Sequence, residues 1–452
     1  MNYRLLITLI IAVVLFTGTV IAIRFAQGYR YNLKSQTMEG NGLLVVNSIP
    51  KGASVYIDNQ LQTATDDTLH MAPGNYNVKI EKDGYSVWNK DLTIEKELVT
   101  QINARLFPNV PDLAALTVSG ASNITPSPDG HSLVFQIATG SAQTKYGIWI
   151  TSMNEGVLRS GSNAVQIIKD IPSLEFSKAK LFWNPNSSEI LVYFSETQSY
   201  LVPTSGEQKV QNLINVSLQL PLIVEDWQKQ MTLQQQKRLV KLPIQMQQIA
   251  TQSATLLYFS PNEKKLIYVA TQSAVLADNL IPPLPAINSQ PQQRQLTPGT
   301  IYLYDSEEDT NFAIATNYFD QKTIDDIARD FSLPVVSEDE IGALPSTNPS
   351  NKVKTTTNET GLALLKKLHL HYSPVYSPMP YQWFPDSSHL ILTGNDYISL
   401  LEYDGTNEAM VYSGVFLEKF AYPWPNGQKL IILTSLNTNP HTFANLYGLN
   451  LE

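Results

Sequence analysis

His369 and His371, separated by one leucine, are the pair of side chains in this sequence whose spacing most suggests a metal ion. On a strand, such spacing places both imidazoles on one face, but no further ligand accompanies them, so two exposed histidines beside a linker is the better reading. Asp305, Glu307, Glu308 and Asp309 crowd carboxylates after a strand-like run. Calcium would use such oxygens, yet a solvated acidic turn accounts for them more simply. Lys229, Lys237, Arg238 and Lys241 could face an acidic partner, and a solvated helix face explains them better. Asn123, Asn186, Asn215 and Asn358 open N-x-[ST] patterns, which arise often by chance. No G-x-S-x-G, H-E-x-x-H, Walker A, G-x-G-x-x-G or EF-hand pattern is present. The chain has no cysteine, which removes thiolate catalysis, Cys-ligated zinc and iron–sulfur chemistry together. The reading therefore assigns no catalytic, cofactor-binding or metal-binding residue, and expects no cofactor and no enzyme activity.

What the sequence repeats is a scaffold. "YQWFPDSSHLILTGN" begins at Tyr381, and close variants begin at Thr125, Phe182, Tyr258 and Tyr422. Aligned on proline, the copies give Pro128, Pro185, Pro261, Pro385 and Pro425. Asp129, Asn186, Asn262, Asp386 and Asn426 follow, and an apolar run opens at Leu133, Ile190, Leu266, Leu390 and Leu430. Pro at the second position of a β-turn and Asp or Asn at the third, feeding an apolar run bounded by turns, predicts a strand covered on both faces. Each copy is followed by a second strand-like segment, such as Ile148–Ile150 or Ile301–Asp305. Repeated strand pairs of this kind are how a propeller blade is written in sequence.

The copies resemble the blades of TolB-type and WD-repeat-like β-propellers, which commonly read aromatic-Ser-Pro-Asp-Gly before an apolar strand. Only the first copy, Pro128-Asp129-Gly130, keeps that form intact. The proline spacings of 57, 76, 124 and 40 residues leave room for insertions or a hidden blade, so about six blades are expected. Trp183, Trp383 and Trp424 are expected to pack between blades.

With 452 residues, of which 43% are apolar and 16% charged, the chain is globular and has room for more than one domain. A net charge of −9 argues against nucleic acid as a partner. Leu5 to Ile23 carries no charge and spans roughly 28 Å as a helix, which predicts an uncleaved, single-pass membrane anchor with everything after about Arg30 outside the cell. Only four residues precede that run, which weighs against a sensor passing a signal inward.

After a polar stalk, Leu44 and Val46, Val55 and Ile57, and Tyr76, Val78 and Ile80 follow period two, the mark of half-buried strands. Pro50-Lys51-Gly52-Ala53, Val55-Tyr56-Ile57-Asp58, Ala72-Pro73-Gly74-Asn75-Tyr76 and Lys82-Asp83-Gly84-Tyr85 resemble the PEGA domain. Lys51 stands where that family has Glu, and Asn59 where it has Gly. The resemblance implies a small, non-enzymatic β-sandwich of surface and envelope proteins.

The expected architecture is all-β: a transmembrane helix in residues 1–30, a stalk over 31–39, a PEGA-like β-sandwich over 40–108 and a β-propeller over 109–452 with helical and loop insertions. The Gln-rich insertion at 226–251 is helical in period with Pro243 as a break, 275–300 reads as a loop, and 319–370 holds a short helix over Thr323 to Phe331 and then linker. Both 226–251 and 319–370 are expected to shorten at little cost in stability, and at least one to build a partner surface. The expected function is a non-enzymatic, membrane-anchored scaffold for protein or envelope glycan. The alternative is a glycan-active hydrolase or lyase, which a cluster of carboxylates at the channel mouth would favour.

Overall fold

The computed structural model describes residues 3–26, 29–32, 37–139, 143–153, 164–282, 288–331, 361–372, 375, 377–436 and 443–452. The chain divides into two compact units, Met1–Asn109 with Pro282–Pro291, and Val110–Ile281 with Gln292–Glu452.

In the first unit, helix α1 runs from Tyr3 to Ala26. Among the described residues, no helix is long and apolar enough to cross a membrane, which overturns the expected transmembrane anchor. The side chains of α1 from Ile7 to Ile23 are exposed. Thr17 and Thr19 stand among them, each turning its hydroxyl back onto a helix carbonyl, Val13 and Leu15 respectively.

Beyond α1, the first unit is built of two sheets around one core. Gly42–Ile49 pairs antiparallel with Asp67–Met71 and parallel with Val99–Arg105. The second sheet orders Gln60–Ala64, Ser54–Ile57, Gly74–Glu81 and Trp88–Ile94, all antiparallel. The period-two residues meet in the core: Leu44, Val46, Val55, Val78 and Ile80 are fully buried, against Trp88 and Ile94. Gly42 is required there, because a Cβ would lie 2.4 Å from the Glu95 carbonyl oxygen. The Pro50 turn is tied from inside, where Thr65 Oγ1 accepts from the Ala53 amide at 2.9 Å and meets Ser48 Oγ at 2.6 Å. Asn59 sits at φ 64°, the left-handed conformation that asparagine tolerates where the PEGA pattern has glycine.

Among the described residues, the second unit contains five successive antiparallel meanders, one per repeat, and a two-stranded ribbon of Ala274–Val275 with Gln295–Leu296. The first contains Ser122–Pro126, Ser132–Ile137, Gly147–Ser152 and Val165–Lys169, and the second Lys180–Trp183, Glu189–Ser195 and Gln198–Pro203. Ala254–Phe259, Lys265–Ala270, Ile301–Asp305 and Thr310–Ala315 form the third, and Tyr381–Trp383, His389–Thr393, Tyr397–Glu402 and Ala409–Ser413 the fourth. In the fifth, Ala421–Pro423, Lys429–Thr434 and Asn445–Asn450 are joined by Leu113–Ala115, so a strand from before the first repeat completes the last sheet. The apolar runs are buried on both faces, as in Lys265–Ala270, where every residue is buried.

Against the expectation of a propeller of about six blades, the described residues show five meander sheets, and the expected ring is corrected: the sheets remain separate and do not close into one continuous sheet. The long spacings hold that two-stranded ribbon and helices, among them α2 (Leu220–Leu239), α3 (Ile244–Gln252), α4 (Gln321–Phe331) and α5 (Gly361–Tyr372). Residues 332–360, expected as linker and containing Asn358, lie outside the described residues. Because Leu113–Ala115 pairs with Asn445–Asn450, deleting everything from Ala421 onward should abolish the cooperative melting of the second unit, while 40–108 stays folded. A native-like melting transition of the shortened chain, measured by calorimetry, would contradict this.

The five turns are the same object. The amide of the residue two past each proline donates to the carbonyl three residues back: Gly130 to Ser127 (2.9 Å), Ser187 to Asn184 (3.1 Å), Glu263 to Ser260 (2.8 Å), Ser387 to Phe384 (3.1 Å) and Gly427 to Trp424 (2.8 Å). Every Asp or Asn side chain then accepts the amide two residues on, as at Asp129 from His131 (3.0 Å) and Asn426 from Gln428 (3.0 Å). The residue two past the proline is left-handed in all five, at φ 74°, 63°, 59°, 60° and 72°. Only two of the five are glycine, and a side chain there costs about 1–2 kcal/mol.

The serines recover part of that cost. Ser187 Oγ accepts the Asp129 amide from the first turn, and Ser387 Oγ accepts the Asn262 amide from the third, both at 3.1 Å. At the same two joints, Trp183 Nε1 donates to the Thr125 carbonyl (3.0 Å) and Trp383 Nε1 to the Tyr258 carbonyl (2.9 Å). Trp424, one position later in its repeat, has no hydrogen-bond partner for Nε1 among the described residues. Ser387→Ala should keep the strain and lose the bond, a loss of about 1 kcal/mol in denaturant unfolding, whereas Ser387→Gly should be close to neutral. A neutral Ser387→Ala would disprove the bridge, and equal effects of the two substitutions would disprove the strain.

Candidate functional site

Pro128, Pro185, Pro261, Pro385 and Pro425, one from each repeat, line a single cavity of about 730 Å³. Proline fixes φ and the Asx bond fixes the next residue, so the sequence itself makes this rim rigid. Tyr258, Phe259, Tyr381, Trp383 and Tyr422 precede those prolines and line the same cavity. Helix α2 contributes Met231, Gln234, Gln235 and Arg238, spaced along one helical face, and α5 contributes His371.

Its charges are few and engaged. Glu263 accepts Arg238 Nε at 2.9 Å and is also paired with Lys241. The bond from Lys241, ahead of that from Arg238, holds the Glu263 carboxyl below the usual glutamate range. Asp129 accepts its own Ser127 hydroxyl at 2.5 Å besides the His131 amide. Burial lowers the His371 imidazole to about 4, so it is uncharged at neutral pH. Burial also raises the Tyr381 hydroxyl to about 12 and the Tyr258 and Tyr422 hydroxyls further, while Tyr258 donates to the Leu370 carbonyl at 3.0 Å. A general acid needs a raised carboxyl, and Glu263 is moved the opposite way.

Of the sequence candidates, His371, Arg238 and Asn186 line this cavity. His369 and His371 lie on helix α5 rather than on a strand, so their spacing turns them to different faces. His369 packs edge-on against Phe182 with ring centres 5.8 Å apart, and His371 against Phe331 at 5.7 Å. Among the described residues, no group of three or more His, Asp or Glu is gathered to hold a metal ion. The acidic turn is not a solvated one. Asp305 and Asp309 are buried, the first paired with Lys265 at 2.9 Å and the second accepting from Tyr304 (2.9 Å) and from the Leu280 amide (2.7 Å). Lys229, Lys237, Arg238 and Lys241 are all exposed, as a solvated helix face implies, and Arg238 and Lys241 pair there with Glu263.

Nor are the insertions cheap loops. Leu220, Val224, Trp227 and Met231 of α2 are buried with Phe182 and Leu191 of the second sheet and with Leu365 and Leu368 of α5. Met246, Ile249 and Ala250 of α3 pack on Leu266, Tyr268 and Tyr302 of the third sheet. Gln234 and Gln235, which the sequence reading did not single out, were visible only as part of a Gln-rich helix.

Residues 41–109 match the PEGA domain. No curated protein matches the chain. Among solved structures, a putative TolB from Agrobacterium tumefaciens is 11% identical, covering 72% of this chain and 70% of its own, with a TM-score of 0.20. TolB from Acinetobacter baumannii is 8% identical over 89% of this chain and 64% of its own, with a TM-score of 0.20. An oligogalacturonate lyase in complex with manganese is 11% identical over 87% and 81%, with a TM-score of 0.19. These likenesses are too weak to carry an argument, and the blade organisation rests on the strand register.

Proposed function

We propose that this protein is a non-enzymatic binding scaffold of the cell envelope, which holds a protein or an envelope glycan at the cavity ringed by its five repeat turns. The observation that carries the reading is that all five repeats contribute a rigid proline turn to one cavity, while the carboxylates there are engaged rather than poised. The PEGA match supports an envelope setting through the resemblance noted above. Immobilised full-length chain should retain material from an envelope fraction, and the retained material should be recovered with unchanged mass. Gln235→Trp, which fills the cavity from α2, should reduce retention about tenfold or more while leaving the melting temperature in place. Retention unaffected by that substitution would move the site elsewhere, and shortened products would establish the hydrolase or lyase alternative.

A further inference from the structure

Resting on that reading, we propose that the ligand held in the cavity is a neutral saccharide chain, recognised by glutamine amides and aromatic faces. Among the described lining residues Arg238 is the one lysine or arginine, and it shares Glu263 with Lys241 outside the lining; His371 is uncharged, and the chain as a whole carries −9. Anions bind where successive backbone N–H groups converge, and proline supplies none; six prolines, the five of the repeats and Pro423, line this cavity. The same lack disfavours an extended peptide, whose affinity would come from main-chain hydrogen bonds to an open strand edge.

What the lining does offer is neutral. Gln234, Gln235 and Gln382 each carry an amide that both donates and accepts, as a hydroxyl partner needs. Gln382 is 4% exposed, and its Oε1 has no hydrogen-bond partner among the described residues, an expensive state for a buried acceptor. It lies between Tyr381 and Trp383, which line the same cavity. A sugar ring has an apolar C–H face and a rim of hydroxyls, and this lining holds both aromatic side chains and neutral amides. At about 730 Å³ the cavity is of ligand-binding size, enough for a short segment of such a chain.

The test titrates the full chain by calorimetry with neutral hexasaccharides of glucose, mannose, galactose and N-acetylglucosamine, beside hexagalacturonate and a proline-rich peptide. At least one neutral hexasaccharide should bind, Gln234→Ala and Gln235→Ala should each weaken it about three- to tenfold, and Gln235→Trp should abolish it. Binding of hexagalacturonate or the peptide alone, still blocked by Gln235→Trp, would overturn the ligand class and leave the cavity reading intact. Binding that survives Gln235→Trp would overturn the cavity reading itself. Failure of every neutral hexasaccharide would likewise end the proposal.

Discussion

Trp383→Ala should lower the unfolding free energy by about 3–5 kcal/mol, the range for removing a large aromatic from a packed interior. Trp383 is 9% exposed, packs with Tyr258, Met379 and Leu390, and joins the fourth sheet to the third through its bond to the Tyr258 carbonyl. Its loss therefore opens a void and leaves a carbonyl without its donor. Trp383→Phe should keep most of the packing and lose the bond, at about 1–2 kcal/mol. Trp424→Ala should have the smallest effect of the three, because that ring is only half-buried and its Nε1 makes no bond among the described residues. Denaturant unfolding of the three variants orders them, and a Trp424 effect as large as that of Trp383 would refute the pairing of third and fourth sheets by this device.

Acidification from pH 6.5 towards 4 should remove about 3 kcal/mol of stability through His369. Burial against Phe182 lowers this imidazole from 6.5 to about 4 in the folded chain. The unfolded chain takes up its proton below pH 6.5, while the folded chain does so only near 4. Between those values the unfolded state binds more protons, so stability is full above 6.5 and falls as the pH is lowered. His371, lowered likewise, acts in the same direction. His369→Phe keeps a ring against Phe182 and removes the titration, so its stability should vary less over this window. An unchanged pH profile in that variant would contradict the assignment.

The repeats were legible because their chemistry is local. Pro, Asx and a following apolar run fix a turn and a strand within ten residues, and all five occur where the sequence placed them. The period-two pattern of the PEGA-like region was legible for the same reason, as Leu44, Val46, Val78 and Ile80 confirm. What failed depended on distant partners. His369 and His371 look like a strand pair until Leu365 and Leu368 are seen packing into a core with α2. The acidic turn looks solvated until Lys265 and Tyr304 are seen beside it. The insertions look dispensable because the residues of the second sheet that bury Trp227 lie about 35 to 45 positions away in the chain. Likewise the cavity could not be read, since it exists only when all five turns and α2 come together.

Hydrogen–deuterium exchange of the full chain, with and without saturating envelope material that it retains, tests the central claim most directly. Ligand should slow exchange together in segments 129–131, 186–188, 257–263, 381–384 and 422–424, and in 231–238 of α2. Slowing confined to a single repeat, or to surfaces away from these turns, would contradict a ligand held by the ring of five.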